Sequence, residues 1–360
     1  MCCQIANKLI KRHYSTVKII MSIRLLLGFY SKIHDSFKFA VVAKTYCVIY
    51  STVLIYLLSN YWDVITGTVG NLNNLLKIAT FIFTVILSLL TEGEYLFNYI
   101  QELDKVDPLA LTSVENFQAS FSIVTFIAGF SMTIYGCVRS IALQIYDIEL
   151  VMLCFLLSLA VQISNMTVIL MFETLWNRVK SLKKTMECWG TTHNVNDRQV
   201  KLHIKTLEEY MFIYRNILQS TKNISHASKF LMLLSLSSCF VNILYVADIL
   251  SLMNMKWNVT GIAIIDAVLQ FLPLCVPALF GELANAEVEN IKINLARQFR
   301  ICNNDALRSK ILKAIKYIDM CPIKITVWRL FNVDFSMSLS FFNLCITYTI
   351  VLLQFQQVKI

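Results

Sequence analysis

The residues able to do chemistry in this chain point away from catalysis. Its five histidines (His13, His34, His193, His203, His226) are scattered, and no HExxH pair offers a metal site. No GxSxG turn presents a nucleophile, and no paired carboxylates suit acid–base work. The eleven cysteines include no CxxC pair, so neither zinc nor a disulfide framework is indicated and no cofactor is expected. Most of them (Cys47, Cys137, Cys154, Cys239, Cys275, Cys345) lie in apolar runs as small core residues, while Cys2 and Cys3 could accept palmitate. What remains is a set of polar groups embedded in apolar sequence. Reading back from Gln354 gives Val351, Thr347, Asn343, Ser340 and Ser336, at steps of three and four. That spacing places them on one face of a helix made otherwise of Leu, Ile, Phe and Val. Such a stripe either hydrogen-bonds to neighbouring helices or faces water in a pore. A pore would need several copies of the helix around one axis.

The elements that carry these groups are set by composition. The 360 residues are 57% hydrophobic and only 15% charged, against roughly a quarter charged in a soluble domain. The apolar residues cluster in runs of about 20, the length a helix needs to cross a bilayer. Seven spans are predicted, about 41–62, 75–91, 118–138, 150–172, 230–252, 260–281 and 335–356. Alternate connections carry 27 Lys and Arg on one side and 3 on the other, with Lys44 and Lys77 within or at the edges of spans. Because basic residues resist translocation, the N-terminus is expected inside and the C-terminus outside, the inverse of a G-protein-coupled receptor. The net charge of +9 follows from that bias and implies no nucleic-acid partner. The basic segment 1–40 reads as cytoplasmic, its piece Ile19–Tyr30 suiting an interfacial helix on the inner leaflet. The sequon at Asn258 falls in an expected outer loop and is a glycosylation candidate; the one at Asn223 falls inside.

Two long connections, 173–229 and 282–334, are expected to form a cytoplasmic helical base. Ile204, Leu207, Met211, Tyr214 and Leu218 recur at helical spacing, as do Val288, Ile291, Leu295 and Phe299, then Leu307, Ile311, Ile315 and Ile318. With no repeat or linker to divide it, the chain reads as one all-α polytopic membrane domain.

At this point the sequence resembles a known family. Thr347-Tyr348, five mostly apolar residues and then Gln354-Phe355 match the signature that closes the last helix of insect gustatory receptors. The resemblance implies a ligand-gated, nonselective cation channel in a sensory-neuron plasma membrane, built as a homotetramer or as a heteromer with related receptors. Gln354 and Phe355 would form the gate, with Thr347, Tyr348 and Val351 lower in the same pore helix. Sugar-receptor members tend to carry Glu directly after the Tyr; Thr349 stands here, which favours the divergent group taken to detect bitter plant compounds.

A small external tastant would bind in the outer halves of the first six spans. Asp266 with Gln270 are the leading candidates, followed by Tyr245, Asp248 and Tyr135. Against this, Asp248 sits near the interface and could be solvated, and Asp266 could pair with a neighbouring helix. Intramembrane carboxylates also suit an ion-coupled transporter, the alternative reading. Internal repeats are absent, however, and only Pro273 and Pro277 interrupt a span.

Overall fold

The computed structural model describes residues 19–32, 36–61, 69–91, 99, 120–142, 147–187, 197–222, 226–252, 257–327 and 331–358; over some helix ends, including 245–252, 257–270 and 355–358, it describes the backbone alone. Ten helices fill it. They are α1 (19–26), α2 (Phe37–Ser59), α3 (Val69–Leu90), α4 (Ser120–Ala142), α5 (Ile148–Glu187), α6 (Asp197–Lys222), α7 (His226–Leu252), α8 (Trp257–Ile301), α9 (Asp305–Met320) and α10 (Phe335–Val358). A two-residue antiparallel hairpin, β1 (Thr326–Val327) with β2 (Phe331–Asn332), joins α9 to α10.

Helix α5 is the central post. Over its apolar half, neighbours on every side bury Leu157, Ile163, Ile169, Leu170 and Phe172. It runs on to Glu187, and α8 likewise runs on to Ile301, so both leave the apolar bundle and enter a polar-surfaced base. There α6 and α9 pack against them through one face each: Leu207, Tyr214 and Leu218 from α6, and Leu307, Ile311, Ala314 and Ile318 from α9. On α9 the buried stripe takes Ala314, leaving Ile315 half-buried. The α8–α9 break is fixed by Asn304, whose side chain accepts from Leu307 N at 3.1 Å, a helix N-cap. Tyr214 anchors the base, its hydroxyl donating to the Cys321 carbonyl at 2.8 Å. Burial pushes the Tyr214 phenol well above its ordinary range.

The N-terminal segment departs from expectation. Residues 19–31 are folded into the bundle instead of lying on a leaflet: Ile20, Met21, Phe29, Tyr30 and Ser31 are all buried. Arg24 makes this possible. Its Nη1 donates to Thr167 Oγ1 on α5 at 2.9 Å and its guanidinium lies 5.7 Å from the Phe29 ring centroid. The turn after α1 needs Gly28, whose φ is +84°, and a Cβ there would lie 2.5 Å from the Tyr50 ring.

Candidate functional site

Helix α10 has two faces of opposite character. Asp334 caps its start, accepting from Met337 N at 3.0 Å and from the Ser336 hydroxyl at 2.7 Å. One face, Ser338, Phe341 and Cys345, is buried against α7 and α8 among Cys239, Phe240 and Phe271. Rings dominate the seam: Phe271 stacks on Phe341 at 6.2 Å and Phe240 meets Phe341 at 6.3 Å. The polar stripe lies on the other face. At 100° per residue its members sit about 160° around the helix from the buried set. Ser336, Ser340, Asn343, Thr347, Val351 and Gln354 are all exposed on the chain.

That placement removes one of the two explanations of the stripe within a single chain. Among the described residues, none of its side chains hydrogen-bonds to another helix; the Thr347 hydroxyl donates to its own helix, to the Asn343 carbonyl at 2.9 Å. The closing motif is divided between the faces. Thr347 and Gln354 belong to the exposed stripe, whereas the Tyr348 ring leans on Phe240 of α7, 5.6 Å between centroids and edge-on. Phe355 is seven residues after Tyr348 and shares its side by register, but its side chain lies outside the described residues.

The ligand candidates do not assemble as one group. Tyr135 is 48% exposed. Gly129 and Thr133 face α5, where Gln162 Nε2 donates to the Gly129 carbonyl at 3.0 Å and to Thr133 Oγ1 at 2.6 Å. By register Tyr135 is on the opposite side of α4, turned away from the bundle. The side chains of Asp266, Gln270, Tyr245 and Asp248 lie outside the described residues, though their backbones are helical. Phe83 of α3 meets Phe230 of α7 with ring centroids 3.8 Å apart, and Asp248 lies a further 18 residues along α7, about 27 Å by helical rise. Asn258 falls in the first turn of α8 and not in a loop, its side chain outside the described residues.

Two junctions escaped the sequence. Glu173 on α5 is buried, and its carboxylate accepts from Phe121 N and Ser122 N, both at 3.2 Å, and from the Ser122 hydroxyl. It caps the start of α4 from another helix, which no local pattern could announce. Gly281 on α8 touches the backbone just before α10: a Cβ there would lie 2.6 Å from the Val333 carbonyl oxygen. Beside it Phe280 meets Phe121 at 5.6 Å and Trp176 at 5.5 Å, so α4, α5, α8 and the entry to α10 converge at one level.

A long apolar helical bundle on a polar-surfaced helical base, with an outer helix presenting polar groups away from it, is the architecture of a multi-pass membrane protein. Solved structures share it. The chain superposes on the insect olfactory receptor OR5 from Machilis hrabei with a TM-score of 0.71 at 15% identity, covering 96% of this chain and 98% of that one. The same receptor in complex with eugenol gives 0.68 at 16% identity, with 96% and 98% covered. No curated protein sequence matches. The profile of the 7tm chemosensory receptor family matches residues 21–359, and the chain belongs to that family. Members are ligand-gated cation channels embedded in the membrane.

Proposed function

We propose that this chemosensory receptor is a gustatory receptor: a nonselective cation channel opened by small external tastants, bitter plant compounds above all. Four subunits, of this chain or of related receptors, surround a pore lined by α10, with the N-terminus inside and the C-terminus outside. The plasma membrane of a sensory neuron is its place of work. The carrying observation is the exposed polar stripe opposite the packed face of α10. Five of the six positions from Ser336 to Gln354 are polar and gain nothing from lipid, and among the described residues no other helix of the chain binds them. Around a central axis they would line a wet path, with Gln354 as polar lining and Phe355 as the apolar constriction that dewets when closed. The base, with α6 and α9 on its outside, supplies the contacts between subunits. A ligand that binds the open form more tightly shifts the equilibrium toward it. Asp266 and Gln270 are kept as its polar contacts; Tyr135 is not. The eugenol complex of the olfactory receptor supports a small organic ligand.

Expression in oocytes with voltage clamp, under a panel of plant alkaloids, sugars and amines, tests this. Ligand-evoked current whose conductance or ion preference changes with Asn343→Leu or Gln354→Ala is the expected outcome. Ligand-driven uptake without current, indifferent to both substitutions, would return the chain to the transporter reading.

A further inference from the structure

The side of α8 that packs on α10 does not end where α10 ends. In the bundle Phe271 marks that side, stacking on Phe341 at 6.2 Å and meeting Phe342 at 5.9 Å. Lower down, past Pro273 and Pro277, Gly281 still meets the entry to α10 at the Val333 carbonyl. Eleven residues make three turns and about 20°, so Glu282 stands in line with Phe271, about 16 Å nearer the base. Helix α10 starts only at Phe335, and from this level down the same strip of α8 is uncovered: Glu282, Ala286, Glu289 and Ile293 are all exposed. Because the polar stripe of α10 lies on its far side from α8, the two helices and the stripe are in line. A group on the uncovered strip therefore faces, beneath α10, the direction that the stripe faces within the membrane.

Glu282 is also unpaired. Glu208, Glu287, Glu289 and Asp319 of the base each lie within 3.1 Å of a lysine. Among the described residues no Lys or Arg nitrogen is within ion-pair distance of Glu282. Its charged neighbours are committed elsewhere: Lys180 of α5 lies over the Trp176 ring at 4.8 Å, Lys183 meets Glu287, and Asp334 caps α10. We propose that Glu282 sets the conductance of the channel at its inner mouth. Four copies, one per subunit, stand below the α10 helices and gather permeant cations from the cytosol before the polar stripe receives them. A fixed negative charge facing a water-filled mouth raises the local cation concentration and repels anions. This rests on the reading of α10 as the pore helix.

The test is single-channel recording from inside-out patches, with the channel opened by the first active member of a panel of quinine, caffeine, sucrose and tyramine. A charge at the inner mouth acts mainly on ions that enter from the inside. Glu282→Gln should therefore lower outward current about twofold or more in 50 mM KCl, with inward current less affected, and Glu282→Asp should hold the native value. In 1 M KCl, where the Debye length falls to about 3 Å, the Gln variant and the native channel should converge. Ala286→Glu adds a carboxylate to the same strip one turn lower and should raise outward current at low salt, so the test survives if Glu282→Gln fails to reach the surface. Three results would overturn the inference. In one, neither substitution changes outward current at low salt. In another, the loss is equal at both salt concentrations or is shared by Glu282→Asp, which makes the side chain a packing or gating group. In the third, the loss is confined to inward current, which puts Glu282 at the outer mouth and reverses the topology as well. The first leaves the pore reading standing wherever Asn343→Leu still alters conduction. Folded protein at the surface that passes no current under the whole panel would instead sink the channel reading, and this inference with it.

Discussion

Helices α4 and α5 are both apolar and long enough to cross a membrane, yet 56% of the most apolar window of α5 is buried and only 6% of that of α4. The contrast extends to the ends of the molecule. In the base, groups are spent on one another: Lys310 reaches Glu208 at 2.6 Å, Lys292 reaches Asp319 at 3.1 Å, and Arg215 lies 5.5 Å from the Tyr317 ring centroid. Among the described residues Tyr135 of α4 and Ser340, Asn343 and Gln354 of α10 face outward with no ion pair or cross-helix hydrogen bond. Stability is thus concentrated around α5 and the base, and the elements proposed to sense and to open are drawn from the loosely held periphery. Helix α10 belongs to both regions, one face to each.

Substitutions two residues apart on α10 should separate those regions. Phe341→Ala empties a ring from between Phe240 and Phe271 and should cost about 3–4 kcal/mol, read as thermal denaturation of the purified protein. Asn343→Leu on the stripe should change stability by less than about 0.5 kcal/mol while altering conduction. Equal losses of stability from both would mean that the stripe is packed after all. Glu173→Leu comes next. It strips two backbone N–H groups and one hydroxyl of their acceptor in a buried place, for about 2–3 kcal/mol. Its loss should appear as faster amide exchange at the start of α4, with α9 unchanged. Gly281→Ala sets a methyl against the Val333 carbonyl and should cost about 1–3 kcal/mol by overpacking. Because that contact sits at the entry to α10, its second readout is a shifted half-maximal ligand concentration at unchanged conductance. An unaltered dose response would detach the junction from gating.

What the sequence disclosed followed from periodicity. The stripe from Ser336 to Gln354 and the base faces at Leu207, Tyr214 and Leu218 could be read because three- and four-residue steps need no knowledge of neighbours. Where the outcome depended on a neighbour, the reading failed. Basic residues in 1–40 suggested a surface helix, yet a hydroxyl from α5 lets Arg24 enter the core. Tyr135 stood out as an aromatic in a span, but which side of α4 faces inward is decided by where Gln162 reaches. The Glu173 cap joins positions 51 and 52 residues apart, and the Gly281 contact joins α8 to Val333. The hairpin of Thr326–Val327 and Phe331–Asn332 is too short for alternation to betray.

The smallest effect tests whether the base is held by charge or by its apolar faces. Lys183 on α5 lies 3.0 Å from Glu287 on α8, both partly exposed, and the bond to Glu287 raises the Lys183 pKa above its ordinary 10.5. A lysine raised on folding contributes stability that is complete below its unfolded pKa and fades as pH climbs through the folded one. Melting temperature should therefore show no contribution from this lysine's titration between pH 7 and 9 and should lose the pair's contribution only above about 10.5. Since water screens the pair, Lys183→Met should cost no more than about 0.5–1 kcal/mol, and 0.5 M salt should remove much of the difference. A larger loss, insensitive to salt, would mean that this pair, and not the buried faces of α6 and α9, fixes α5 against α8. The concentration of stability in the base would then be electrostatic in origin, and the contrast with α4 would be one of charge pairing instead of burial.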